Sequence, residues 1–191
     1  MAYSIAAAQE SEREEIHGFY EELCRRQEGA DFSPGWHYGI YPADEDLDAH
    51  IRSGEMFCAR AEERIAAAMV IAEGDDPIYR DVSWQIREEP IQVLHLLAVH
   101  PDDRGSGLSR AMLSFLLERA RGMGAKAVHL DVVTGNLPAE KLYRRAGFRF
   151  VEAREVWYPD TGEIRVALYE YPLVNSRNLR GACFPEAPAL F

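Results

Sequence analysis

The chain has 191 residues, 47% of them hydrophobic, which is enough for one ordinary core and gives no sign of two. With 32 acidic against 21 basic residues the net charge is −11, which argues against a nucleic-acid partner and favours a cationic one. Cys24, Cys58 and Cys183 are far apart with no C-x-x-C, no apolar stretch reaches the roughly 20 residues of a membrane span, and no basic segment leads into an apolar run at the N-terminus. These features exclude a disulfide framework, a zinc site and a membrane partner, and a soluble cytoplasmic protein is expected.

Ser11 and Glu14 have capping-box spacing ahead of Ile16, Phe19, Tyr20 and Leu23, which predicts a helix over about residues 11–27. Residues 29–46 contain three glycines and two prolines among four aromatics and are expected to form an ordered loop. Asp44 is placed to cap a second helix, with Leu47 and Ile51 inward and Gly54 past its end. Residues 56–61 and 65–72 read as a hairpin about the charged turn 62–64, and 74–92 as a polar connection containing Trp84. A strand over 93–99 is apolar on both faces apart from His95, as a buried central strand would be. Gly107 then opens a helix to about residue 121, with Leu108, Met112, Phe115, Leu116 and Ala120 inward and Gly122 and Gly124 ending it. Another strand covers 127–133, and a short helix has Pro138 in its first turn and Gly147 at its close. Residues 149–157 and 164–171 flank Pro159, Asp160, Thr161 and Gly162, a strong hairpin turn. Residues 1–172 make one domain and 173–191 a C-terminal tail, whose Leu190 and Phe191 suit docking on the body or in a homodimer.

Helices among strands, a crossover helix in the middle and a terminal hairpin describe an α/β protein with a mixed, mostly antiparallel central sheet and flanking helices. Within it, the turn Arg104-Gly105-Ser106-Gly107 delivers glycine-spaced backbone at the mouth of a helix. Unpaired N–H groups and about half a positive charge from the helix macrodipole make that mouth a seat for an anion. A Walker loop would need G-K-[ST] where Gly107 is followed by Leu108 and Ser109, and a dinucleotide fingerprint would need glycine at Arg110, so both rival motifs fail. A tyrosine in a downstream helix adds a proton donor, and the order of parts suits a pyrophosphate-bearing acyl carrier.

Two blocks of residues resemble the GCN5-related N-acetyltransferase superfamily. Arg104 to Ser109 is similar to its pyrophosphate loop, Q/R-x-x-G-x-G/A, with Arg104 and Gly107 matching and Ser109 departing. Asn136, Ala139, Leu142, Tyr143, Gly147 and Phe148 match every anchor of the downstream N-x-x-A-x-x-L-Y-x-x-x-G-F. The resemblance implies an acetyl-coenzyme A-dependent N-acetyltransferase fold in which strands 93–99 and 127–133 splay apart around the acyl-pantetheine.

It also implies roles. Backbone from Gly105 through Ser106, Gly107 and Leu108 to Ser109 would hold the pyrophosphate with Arg104 and Arg110 adding charge. Leu97 and Val99 would pair their main chain with the pantetheine, and Asn136 would contact the pantetheine or adenosine. Lys141, Arg144 and Arg145 are candidates for the 3′-phosphate. Tyr143 would protonate the departing thiolate. The run from Leu94 to His100 is similar to the matching strand of arylalkylamine N-acetyltransferases, which makes His95 the leading base, although their second histidine is Val93 here. Asp131 and His129 are second candidates, expected to divide between the two faces of their strand so that only one reaches the cleft, and His100 is expected in a loop. The acceptor, an amine of a small molecule, amino acid or peptide, is expected against Trp36, Tyr38, Tyr41 and Trp84, whose rings can hold a cation. A non-catalytic acyl-coenzyme A-binding module of the same fold is the alternative, and the presence of Tyr143 and His95 counts against it.

Overall fold

A computed structural model describes residues 3–27, 35–74, 76–158 and 161–173. Seven strands form one sheet in the order β1-β2-β3-β4-β5-β7-β6: β1 (Ser4–Ala7), β2 (Met56–Ala61), β3 (Arg64–Glu73), β4 (Ile91–Val99), β5 (Ala127–Val133), β6 (Arg149–Tyr158) and β7 (Gly162–Pro172). Only β4 and β5 run parallel. α1 (Arg13–Gln27) and α2 (Asp44–Arg52) cover one face, and α3 (Leu108–Gly122) and α4 (Leu137–Ala146) the other. This is the expected mixed, mostly antiparallel α/β architecture, with β1 added. None of the described helices is long and apolar enough to cross a membrane.

Several boundaries differ from the expected ones for identifiable reasons. The capping box lies two residues earlier, where the Gln9 N–H donates to Glu12 Oε2 at 2.6 Å and a 3-10 turn (Glu10–Glu12) leads into α1. Asp44 is the first residue of α2 rather than its cap; Ala43 stands at the cap, and Asp44, Glu45 and Asp46 place three carboxylates against the positive helix end. β4 starts at Ile91, inside the stretch read as connection, because Ile91, Gln92 and Val93 pair with Ala127, Val128 and His129. Of the expected tail, Leu173 continues the pairing of β7 with β5 by donating to the Lys126 carbonyl at 2.8 Å, and Cys183, Leu190 and Phe191 lie outside the described residues.

Two features of β4 open the sheet. Its ladder to β5 ends at Val93 and His129, so the strands diverge beyond that pair. Then the register with β3 shifts between Ala68 and Val70, and Leu96 takes a left-handed φ of 52°. This bulge puts two consecutive residues, His95 and Leu96, on one face and resets the alternation after them. Leu96 and Ala98 accordingly pack under α1, and Leu97 and Val99 turn toward α3. The Tyr20 hydroxyl donates to the Leu96 carbonyl at 2.8 Å and fixes the bulge against α1.

Candidate active site

The divergence of β4 and β5 leaves a cavity of about 1340 Å³ that passes through the sheet. That exceeds the roughly 300–1,000 Å³ of an ordinary small-molecule pocket and suits an elongated ligand.

One end is the glycine turn. Its base, the 3-10 turn Pro101–Asp103, is tied down by Arg64 to Asp103 at 2.6 Å and by Arg26 to Asp102 at 2.9 Å. His100 lies in the loop, as expected, but is buried there: it is 8% exposed, and its Nδ1 accepts from the Asp102 N–H at 3.3 Å. Gly105 at φ 78° and Gly107 at φ 86° take left-handed backbone that favours glycine, and Gly107 caps α3. Of the backbone expected to hold the pyrophosphate, Leu108 donates its N–H to Ser106 Oγ and Ser106 its own to the Asp103 carbonyl, each at 3.3 Å, and neither residue lines the cavity. The N–H groups of Gly105, Gly107 and Ser109 have no acceptor among the described residues. Arg104, Arg110, Lys141 and Arg145 line the same end, and none forms an ion pair with a described residue. Arg144 does not join them, because its guanidinium is held by Glu140 at 3.1 Å and the Tyr169 hydroxyl at 3.0 Å.

The middle of the cavity runs past β4. His100 donates its N–H to the Ala66 carbonyl at 2.8 Å, so strand alternation turns the main-chain groups of Leu97 and Val99 the other way, into the gap. Asn136 lines the gap while its Oδ1 caps α4, accepting from the Ala139 N–H at 3.1 Å. Tyr143 projects from α4 beside Phe148 and Tyr169 at ring distances of 5.7 and 6.5 Å. Its hydroxyl makes no hydrogen bond to a described residue, and burial pushes its pKa up, which keeps the phenol protonated.

The far end carries the ionisable groups. His95 lies 3.6 Å from Asp76 Oδ2, and its ring stacks on Tyr79 at 6.5 Å. Burial pulls its pKa below the usual 6.5, against the opposing pull of Asp131 and Asp76, so the imidazole is neutral and able to accept a proton. Asp131 receives the Tyr79 hydroxyl at 2.8 Å and the Tyr158 hydroxyl at 3.4 Å; burial raises its pKa, and these bonds and His95 oppose the rise. Trp36, Tyr41 and Tyr158 form an aromatic rim, with ring distances of 6.1 and 6.3 Å. The rim is closed where Gly35 meets the β6–β7 turn so tightly that a Cβ would lie 2.5 Å from Thr161 Cγ2.

Two expectations are corrected here. Residues two apart on a strand share a face, so His129 and Asp131 point the same way. What separates them is Trp84, which stacks on His129 at 3.8 Å and leaves only Asp131 in the cavity. Trp84 itself is 6% exposed in a third core cluster, and His129 pairs with buried Glu170 at 3.2 Å, so neither faces a ligand. Sequence reasoning missed Asp76, Tyr79 and Tyr158; the first two lie in the presumed connection, where Asp76 and Tyr79 in a polar stretch were the available signal.

Residues 14–148 match the acetyltransferase (GNAT) family. Among curated proteins, N-alpha-acetyltransferase RimI of Mycobacterium tuberculosis is 36% identical over 85 residues, 44% of this chain and 52% of that protein. Human N-acetyltransferase 8B is 32% identical over 91 residues, 48% of this chain and 37% of that protein. The chain spans about half or less of the length of the curated relatives it matches. A GNAT-family acetyltransferase from Streptococcus agalactiae has the same fold at a TM-score of 0.73 and 19% identity, covering 91% of this chain and 96% of that one. The ribosomal-protein-S18-alanine N-acetyltransferase from Escherichia coli does so at 0.62 and 20%, covering 91% and 96%. With the family pattern matched over most of its length and laid on that fold, the chain belongs to the acetyltransferase (GNAT) family.

Proposed function

We propose that the protein is an acetyl-coenzyme A-dependent N-acetyltransferase whose acceptor is a small, cationic primary amine. The observation that carries this reading is one continuous cavity with N–H groups that have no acceptor among the described residues and cations at one end, Tyr143 in the middle, and a neutral imidazole near two carboxylates at the other. The fit to acetyl-coenzyme A is specific: Gly105, Gly107 and Ser109 present N–H donors for a pyrophosphate, Lys141 and Arg145 present cations beside them, and β4 offers a free peptide edge along the gap. The thioester supplies the activated carbonyl. Asp76 and Asp131 draw an ammonium group into the far end, and the rim of Trp36 and Tyr41 orients what it is attached to. An alkylamine with a pKa near 10.4 must lose a proton before it attacks, and its burial favours that loss. His95, beside Asp131, accepts that proton, directly or through water. Tyr143 gives its proton to the departing sulfur.

The acidic end extends into a second cavity of about 270 Å³, which adds Asp46, His50 and Glu73 and shares Tyr41, Asp76, His95 and Leu96 with the first. That adds to the preference for a cation. Thiol release from acetyl-coenzyme A, measured over monoamines, aromatic amines, diamines, amino acids and N-terminal peptides, tests the reading. Turnover is expected with small cationic amines. Tight coenzyme A binding with no turnover on any amine would point instead to a binding module.

A further inference from the structure

α1 packs over β3 and β4, with Tyr20 bonded to the Leu96 carbonyl within β4 and Arg26 bonded to Asp102 just past the end of that strand. Tyr20, Leu23 and Gln27 are buried on one stripe of the helix, at i, i+3 and i+7. Seven residues of helix advance about 10 Å, and three residues of strand advance about the same, which sets Gln27 at about the level of Val99 along the strand. Both line the main cavity. Gln27 is 9% exposed, and its Oε1 is enclosed with no hydrogen-bond partner among the described residues. A buried amide in that condition is costly and rare, and a leucine would continue the stripe without the cost. Opposite it, Leu97 and Val99 turn their own N–H and carbonyl groups into the gap.

The geometry points to Gln27 as a further binding residue, whose carboxamide hydrogen-bonds an amide of the pantetheine arm as the arm passes Val99. This rests on the proposed function. The arm carries two secondary amides, each with one donor and one acceptor, and a primary carboxamide offers the same pair whichever way it is turned. The nucleotide end calls for charge, which Arg104, Arg110, Lys141 and Arg145 supply. The acceptor amine is drawn to Asp76 and Asp131, around His95 on the other side of the Leu96 bulge. A neutral amide at Val99 fits the stretch between them.

Isothermal titration with coenzyme A and with adenosine 3′,5′-bisphosphate, which lacks the arm, separates the sources of binding. For Gln27→Leu, coenzyme A affinity is expected to fall about 3- to 10-fold while bisphosphate affinity stays within about 2-fold of wild type. The melting temperature of the free protein should stay level or rise, since an unpaired buried amide is gone; Gln27→Met repeats the measurement if the leucine variant folds poorly. Equal losses for both ligands, no loss for either, or an effect confined to the acceptor's KM would overturn the assignment. A wild-type protein that binds no coenzyme A would instead remove the proposed function itself, whereas normal wild-type binding with unaltered variants removes only the role of Gln27.

Discussion

Replacing Gly107 with valine sets backbone strain and ligand binding against each other in one measurement. Gly107 caps α3 at φ 86°, and a Cβ there would lie 3.2 Å from Arg110 Nη2. Left-handed backbone costs an L residue about 1–2 kcal/mol, which in a domain of this size lowers the melting temperature by about 2–8 °C. The contact with Arg110 adds little to that, because a guanidinium at the end of a flexible chain can move aside. Moving it has a consequence for binding, however, since Arg110 and the N–H groups of Gly105, Gly107 and Ser109 converge on one seat. Losing even one hydrogen bond to a charged group weakens binding by about 10- to 100-fold. Thermal melts with coenzyme A at about 100 times the wild-type Kd should show a wild-type gain of about 2.7 kcal/mol, or about 5–10 °C. The variant should gain about half of that or less. A variant that melts lower yet keeps the full ligand shift would refute the assignment of the glycine turn as the pyrophosphate seat.

Tyr143→Phe should lower kcat about 100-fold or more and leave the coenzyme A Kd nearly unchanged, because the ring keeps its packing and only the donor is lost; unchanged kcat would make Tyr143 a packing residue. Since the pKa of His95 lies below 6.5, wild-type kcat/KM should fall as pH drops through that lowered value, and His95→Gln should remove this limb of the profile. Persistence of the limb would move the role of base to Asp131 or a water chain. Asp131 has its pKa raised in the folded protein, so its contribution to stability is fully present below the unfolded value near 3.9 and is lost as pH rises through the higher folded one. Asp131→Asn should therefore raise the melting temperature at pH 7 while lowering turnover, and a lower melting temperature would contradict the direction of that shift.

The elements with strong local signals were legible in the sequence. α3 carries its core stripe between glycines, and α4 has an asparagine cap, a proline in the first turn and Gly147 at φ 100° at its close, so each boundary is written within a few residues. β1 was not legible: Ser-Ile-Ala-Ala has little β-propensity, and it is a strand because β2 offers it an edge. The same is true of residues 76–86. Their polarity reads as a solvent-facing connection, yet Tyr79, Val82 and Trp84 are buried over β5 and β7, and this segment supplies Asp76 and Tyr79 to the candidate site. The bulge at Leu96 had no local signal either, since leucine is an uncommon residue at positive φ. It exists because α1 and β3 hold the strand on both sides of it. Tyr143 and the glycine turn could thus be found from spacing, whereas the carboxylates and tyrosines around His95 are brought together only by tertiary packing.

The divergence of β4 from β5 gives this sheet three borders instead of two. The outer ones are blunted against stray pairing, β1 by having only four residues and β6 by alternating charge at Arg149, Glu152, Arg154 and Glu155. The third lies inside the molecule, where Leu97 and Val99 hold out peptide groups that no other chain can reach without threading between α1 and α3. A slender molecule with amides of its own can take that place, acting as a temporary strand that closes the sheet from within. On this view recognition of the carrier's arm needs few dedicated side chains, because the protein has left unfinished a piece of its own hydrogen-bonded framework and the substrate completes it.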